Sequence, residues 1–93
     1  MVPAPDIDSR FAALWRDHRG IFHKVARSFA ASAADQEALV QDMLVQLWRS
    51  LPRFAGQCRD STWVYRVCLN TALSWRRGEV RRADRPGSDE APE

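Results

Sequence analysis

The stretch Phe11–Phe29 reads FAALWRDHRGIFHKVARSF and repeats apolar side chains at intervals of three and four residues. Because an α-helix turns once in about 3.6 residues, this spacing places the apolar side chains on one face. The pattern predicts an amphipathic helix from about Ser9 to Ala30, with Asp8 or Ser9 as its N-terminal cap. Its apolar positions are Phe11, Leu14, Trp15, His18, Ile21, Phe22, Val25, Ala26 and Phe29.

A second segment with the same period follows. Ser32 and Asp35 are spaced like a capping box, and Pro52 marks an end because proline does not continue a helix. We therefore predict a second helix that ends at about Ser50. Its apolar face consists of Leu39, Val40, Met43, Leu44, Leu47, Trp48 and Leu51.

The third helical segment comes after a loop at residues 54–60. We expect Asp60 or Ser61 to cap this helix, which continues to Arg77 or a few residues beyond. Its apolar positions are Val64, Val67, Cys68, Thr71, Ala72 and Trp75. The sequence shows no strand pattern and no internal repeat, so it predicts an all-α, three-helix domain with short connections.

Composition and charge bound the function. Ninety-three residues, 45% of them hydrophobic, suffice for one small domain with a core. Net charge is only +2, but residues 49–82 hold eight arginines and only two acidic residues. Such a basic block indicates a polyanion site. Residues 1–8 are expected to be a disordered start, and residues 83–93, rich in acids and proline, a linker or tail.

The cysteines and the hydropathy pattern bear on the cell compartment that we expect for this chain. Cys58 and Cys68 do not fit a common zinc or redox motif, and we expect a loop thiol and a core thiol in a reduced, cytoplasmic protein. The longest apolar runs are far shorter than the ~20 residues of a membrane span, so membrane insertion is not expected.

An enzymatic site is not apparent. His18 and His23 lack a partner at metal-ligand spacing, and the chain has no nucleophile motif or phosphate-binding glycine loop. The acids Asp35, Glu37 and Asp42 could do acid/base chemistry, but acids near a helix start more often favour the helix dipole. We therefore expect that the protein is not an enzyme and that it holds neither a metal nor a cofactor.

The stretch from Leu51 to Arg82 favours nucleic-acid binding. It interleaves aromatic residues with arginines and includes Asn70, so it offers rings for base stacking, cations for phosphate and an amide for a base edge. Trp75 fits the core, whereas stacking on a base is plausible for Trp63. The four arginines at the end of this stretch could merely complement the helix dipole. We favour phosphate contact because four are more than the dipole needs. These are Arg76, Arg77, Arg81 and Arg82.

One strip of the second helix mixes small apolar, amide and charged side chains. This mixture suits docking against another helix, although an ordinary solvated face is the better interpretation of the sequence alone. The strip consists of Ala38, Gln41, Asp42, Val45 and Arg49.

Two motifs resemble bacterial sigma factors. Residues 35–49, DQEALVQDMLVQLWR, resemble the second conserved helix of that family, and residues 54–77, FAGQCRDSTWVYRVCLNTALSWRR, resemble the promoter-reading helix of its extracytoplasmic-function (ECF) branch. The first helix fits by pattern only, so the resemblance covers about residues 9–82. The matching positions are Phe54, Gly56, Thr62, Trp63, Val64, Arg66, Val67, Asn70, Arg76 and Arg77.

The resemblance implies a sigma region 2 domain that works with core RNA polymerase. The family docks its second helix on the clamp coiled coil of the largest subunit, and Gln41 and Asp42 match its contact positions. Ala38 stands where the family usually has an acid, so one ion pair is missing. An anti-sigma factor, where one exists, would cover the same strip.

The resemblance also implies recognition and melting of the promoter −10 element through its non-template strand, with a flipped base held in the loop at residues 54–60. Trp63 matches the family's melting wedge, and Val64 replaces a second aromatic, which is typical of the ECF type. Asn70 matches a base-reading position, and arginines would hold the backbone. The expected DNA-binding residues are Arg53, Phe54, Arg59, Trp63, Arg66, Asn70, Ser74, Arg76 and Arg77.

The resemblance places the end of the chain in the family's interdomain linker. The −35-reading domain that would follow is absent, which suggests a shortened chain rather than a natural single-domain relative, and we expect this chain alone not to recognise a whole promoter. The alternative function is a helical protein-interaction module, a sigma-like regulator that binds a protein partner without reading DNA.

Overall fold

The computed structural model describes residues 6–78 and forms three α-helices joined by short connections. They are α1 (Ile7–Phe29), α2 (Ala33–Ser50) and α3 (Asp60–Arg76), and a 3-10 turn at Leu51–Arg53 follows α2. Strands are absent from residues 6–78, which confirms the predicted all-α class. Residues 1–5 and 79–93 lie outside the described residues, and with them lie Arg81, Arg82 and the predicted tail.

The start of α1 differs from the prediction. Asp6, not Asp8 or Ser9, is the cap, and its Oδ1 accepts a hydrogen bond of 2.8 Å from the backbone N–H of Ser9. The bonds from Ser9 lower the pKa of the Asp6 carboxyl, because they favour its charged form. The helix therefore begins two residues earlier than expected, inside the segment predicted to be disordered.

A kink interrupts α1 at His18, whose φ of −128° and ψ of 22° are not helical. Its ring nitrogen Nδ1 lies 3.1 Å from the carbonyl oxygen of Leu14, one turn earlier. Leu14 and Phe22 are nevertheless both buried, so the apolar face continues across the kink.

The predicted start of α2 is confirmed. Ser32 caps the helix, and its Oγ accepts a hydrogen bond of 3.0 Å from the backbone N–H of Asp35. The side-chain amide of Gln36 donates to the carbonyl oxygen of Ala30, at 2.9 Å, and so fastens α2 to the end of α1. Pro52 lies in the 3-10 turn, where its missing N–H is tolerated.

The start of α3 has no side-chain cap. Arg59 occupies the cap position, and only its backbone oxygen takes part, accepting from the N–H of Trp63 at 3.0 Å. The prediction of Asp60 or Ser61 as the cap was wrong, because the helix already includes both residues. At the other end Gly78 has φ of 81°, a left-handed conformation that ends helices easily.

All three helices contribute to one core. Phe22 of α1, Leu47 of α2 and Cys68 of α3 have no exposed surface, and Trp75 is buried, in agreement with the sequence pattern. Trp48 is the exception among the predicted apolar positions, since 42% of it is exposed. It lies at the edge of the α2 face, where its ring meets Phe11 edge-on with centroids 5.3 Å apart.

The two cysteines should differ strongly in reactivity. Burial raises the pKa of the Cys68 thiol to about 12, so this group stays protonated and unreactive below that pH while the domain is folded. Cys58 is half-buried at the margin of the core. We expect a Cys58→Ser variant to resist a disulfide reagent at about pH 8 and to react fully once unfolded in guanidinium chloride. A Cys68→Ser variant, which keeps the loop thiol, should react in the native state; equal native rates would contradict the buried position of Cys68.

Candidate nucleic-acid interface and docking strip

The outer face of α3 carries the residues that the sequence singled out for DNA. Arg66, Asn70 and Arg77 are exposed, and Ser74 is half-buried beside them. The face is exposed because Val64, Cys68 and Ala72 of the same helix have no exposed surface and turn the opposite side into the core. A guanidinium nitrogen of Arg77 lies 3.5 Å from the Ser74 hydroxyl oxygen. This arrangement places cations around a single amide.

Trp63 lies against Phe54 at the start of this face. The two rings are stacked, with centroids 4.4 Å apart and planes inclined by 9°. Only 5% of Phe54 is exposed, whereas Trp63 is half-buried. The predicted contact of Phe54 with DNA therefore does not fit its position, because the ring belongs to the core and supports Trp63 from below.

The loop before α3 is shaped by its own hydrogen bonds. The side chain of Gln57 accepts from the backbone N–H of Ala55 at 2.8 Å and donates to the carbonyl oxygen of Arg53 at 3.2 Å. Gly56 adopts φ of 82°, a conformation that other residues avoid. Arg53 and Arg59 remain exposed on either side. The loop thus has a defined shape before any ligand arrives.

A cavity of about 130 Å³ lies behind this loop, between α1 and the start of α3. Arg10 crosses there, and its guanidinium donates to the carbonyl oxygen of Phe54 at 3.0 Å. The cavity combines one cation with two carboxyl groups. Its lining residues are Arg10, Ala13, Leu14, Asp17, Phe54 and Asp60.

Arg76 is separated from the other predicted DNA contacts. Six residues further along a helix than Asn70, it lies about 120° away around α3. Its guanidinium covers the ring of Phe29 at 4.3 Å, at the junction of α1 and α3. Arg76 is exposed, but its charge is held there by a cation–π contact.

A groove of about 270 Å³ separates α3 from α2 next to Asn70. Two of its residues, Gln46 and Ser50, belong to α2 and were not predicted as site residues. No motif could have identified them, because only the packing of α2 against α3 brings them beside Asn70. The lining consists of Gln46, Ser50, Val67, Asn70, Thr71 and Ser74.

The docking strip of α2 is only partly at the surface. Gln41, Val45 and Arg49 are exposed and Ala38 is half-buried, but Asp42 is 6% exposed. The placement of Asp42 on the surface was therefore wrong: it follows Gln41 around the helix by about 100°, which turns it inward. In this position the Asp42 carboxyl has little surface to offer a docking partner.

An apolar surface adjoins the strip. Val45 is 39% exposed and Trp48 is 42% exposed. With Phe11 of α1, Leu44 and Arg49 they line a shallow depression of about 300 Å³. Exposed apolar side chains in contact with each other are typical of a protein interface.

Neither a metal cluster nor a membrane span is found in the part of the chain that the structure describes. Between residues 6 and 78, no three histidine, cysteine or acidic side chains are grouped as metal ligands. None of the three helices in that range is long and apolar enough to cross a bilayer.

Comparison with known proteins decides the family. The model of sigma-70 region 2 matches residues 14–82, most of the chain. The chain belongs to the sigma-70 region 2 family. ECF RNA polymerase sigma factor SigG of Mycobacterium tuberculosis (strain CDC 1551 / Oshkosh) is 30% identical across 98% of this chain and 26% of its own length. ECF RNA polymerase sigma-E factor of Escherichia coli K12 is 35% identical across 72% of this chain and 35% of its own length.

These matches confirm the resemblance to ECF sigma factors. The chain spans between about a quarter and a third of the length of these two relatives. No solved structure matches the chain significantly. The roles of individual residues in the sigma region 2 domain remain predictions.

The stack of Phe54 on Trp63 allows a test of whether Phe54 supports Trp63 or contacts DNA directly. A Phe54→Leu variant keeps an apolar core residue and loses the ring pair, so we expect it to stay folded and to lose about 1–2 kcal/mol of unfolding free energy. Urea denaturation followed by circular dichroism measures this loss. Affinity for a labelled single strand should fall as well, because Trp63 loses the ring that holds it in position. A variant with full stability and lost DNA affinity would contradict the supporting role and point to direct contact.

Proposed function

We propose that this domain binds core RNA polymerase and recognises and melts the promoter −10 element. The observation that carries the proposal is the outer face of α3, where Arg66 and Arg77 flank Asn70 and the supported ring of Trp63 stands at one end. The proposed partners are promoter DNA, through its non-template strand, and the clamp coiled coil of the largest polymerase subunit.

The physical chemistry of this face suits a melted strand. Arginines neutralise phosphates and release counterions, an amide pairs with a base edge, and an aromatic ring contributes about 1–3 kcal/mol per stacked base. Extruding a base from a duplex costs a few kcal/mol of lost stacking and pairing. Trp63 is well placed to offset that cost because Phe54 already holds its ring in position. The cavity beside Arg10 and Asp60 is a candidate place for the extruded base.

The polymerase contact is proposed for the exposed part of α2. Gln41, Val45 and Arg49 form its centre, and Ala38 lies on the same side. Since Asp42 is buried, its proposed part is to orient the helix rather than to touch the clamp. A domain of this size holds DNA weakly by itself, so attachment to a large enzyme would supply the missing affinity.

A second candidate function rests on the apolar depression next to the strip. Exposed Trp48 and Val45 are suited to contact with a protein partner. They lack the cations and amides by which a side chain would bind DNA. A sigma-like regulator that binds only protein, or a domain held by an anti-sigma factor, would use this side of the molecule. The two candidates differ in whether the α3 face is needed.

Loss of the Asn70 amide should weaken DNA reading alone. For Asn70→Ala we expect binding to a labelled single-stranded −10 library to fall by about 1–3 kcal/mol, the range of one lost base contact. Fluorescence anisotropy at low salt measures it, with Ser28→Ala on exposed α1 as the control. Binding to core polymerase should be unchanged. Equal loss of DNA and polymerase binding would contradict this division of roles.

An added charge on the α2 strip should weaken polymerase binding rather than DNA binding. Val45→Arg places a cation in the centre of the proposed clamp contact, and we expect polymerase binding to weaken by about 2 kcal/mol or more. The thermal midpoint should be nearly unchanged because Val45 is 39% exposed. Ser28→Arg, which adds the same charge to α1, is the matched control. Undiminished binding of Val45→Arg to core polymerase would exclude α2 as the docking helix.

A further inference from the structure

The groove between α2 and α3 contains two amide side chains, one from each helix. Gln46 projects from α2 and Asn70 from α3 into the same space of about 270 Å³. The helix positions that carry the two amides are anchored in the core, since the next residues, Leu47 and Thr71, are 0% and 4% exposed. The two amides are therefore held on rigid elements, which lowers the entropy cost of binding.

The hydroxyl groups of the groove are already engaged within their own helices. The Ser50 hydroxyl donates to the carbonyl oxygen of Gln46 at 2.8 Å, and the Thr71 hydroxyl donates to that of Val67 at 2.7 Å. In contrast, within residues 6–78 the side-chain amides of Gln46 and Asn70 make no hydrogen bond. Each amide offers one acceptor and two donors, so the groove presents two complete amide groups to a ligand.

The charges around the groove favour an anionic ligand. A guanidinium nitrogen of Arg77, the residue after α3, lies 3.5 Å from the hydroxyl oxygen of Ser74 in the lining, and Arg66 is exposed one turn before Asn70. None of the lining residues is acidic. A nucleotide supplies both a phosphate for such cations and a base whose edges pair with amides. A protein segment also supplies hydrogen-bond partners for amides, but it lacks the regularly repeated phosphate anions of a nucleic acid.

We propose that Gln46 is a second base-reading residue, which together with Asn70 grips one unpaired adenine by its two edges. This inference rests on the proposed function and adds a specificity residue to it. Glutamine and asparagine pair best with adenine, which offers N6 and N7 on one edge and N6 and N1 on the other. Both edges are accessible only when the base is unpaired. The groove therefore discriminates single-stranded from duplex DNA at this position.

The test replaces the Gln46 amide by an apolar group of similar length. Labelled single strands carrying each base in turn at every position of the −10 element are titrated against the 93-residue chain, Gln46→Met, Asn70→Ala and the control Ser28→Ala. We expect Gln46→Met to lose its preference for adenine at one position by about five- to a hundredfold, without change at the others. Asn70→Ala should relax the same position, and duplex binding should not respond to Gln46→Met. Circular dichroism verifies that each variant is folded.

A second measurement assigns the edges. Replacing that adenine by 7-deazaadenine removes the N7 acceptor, so it should weaken the wild-type chain and one of the two amide variants but leave the other unchanged. Unaltered adenine preference in Gln46→Met, with a relaxed preference in Asn70→Ala, would overturn the role of Gln46 and leave the proposed function intact. A wild-type chain indifferent to sequence at every position would overturn both.

Discussion

The burial of one side of α3 is the constraint on which the rest of this domain depends. Val64, Cys68 and Ala72 recur at intervals of four and have no exposed surface, because α1 and α2 pack on both sides of them. A helix that buries one side must expose the other, and here the exposed side carries Arg66 and Asn70. The core thus determines which residues are offered to a ligand.

The stack between Phe54 and Trp63 joins this core to the surface. One ring is nearly inaccessible and the other half-buried, so the aromatic pair acts as a fixed platform rather than as two mobile side chains. Arg10 of α1 binds the backbone of Phe54 and ties the same platform to the first helix. A ring held in this way would lose little conformational freedom on stacking with a base, as the proposed function requires.

Two surfaces of different character share the small domain. The exposed side of α2 joins a mixed polar strip to an apolar depression around Trp48, whereas α3 presents cations and an amide. The first surface is suited to a protein and the second to nucleic acid. Because both helices are anchored in one core, a partner on α2 also fixes the orientation of the face on α3.

The sequence by itself determined the three helices, most of the core and the family, because hydrophobic periodicity and the sigma motifs are local in the chain. It also determined that Arg66 and Asn70 share an outer face, since their spacing follows from helix geometry alone. Only the tertiary structure decided which side chains at the edges of those faces are buried. The tertiary structure buries Asp42, which the sequence had placed in the surface strip, and leaves 42% of Trp48 exposed. It also brought Gln46 to Asn70, because contacts between helices depend on packing angles that no single helix encodes.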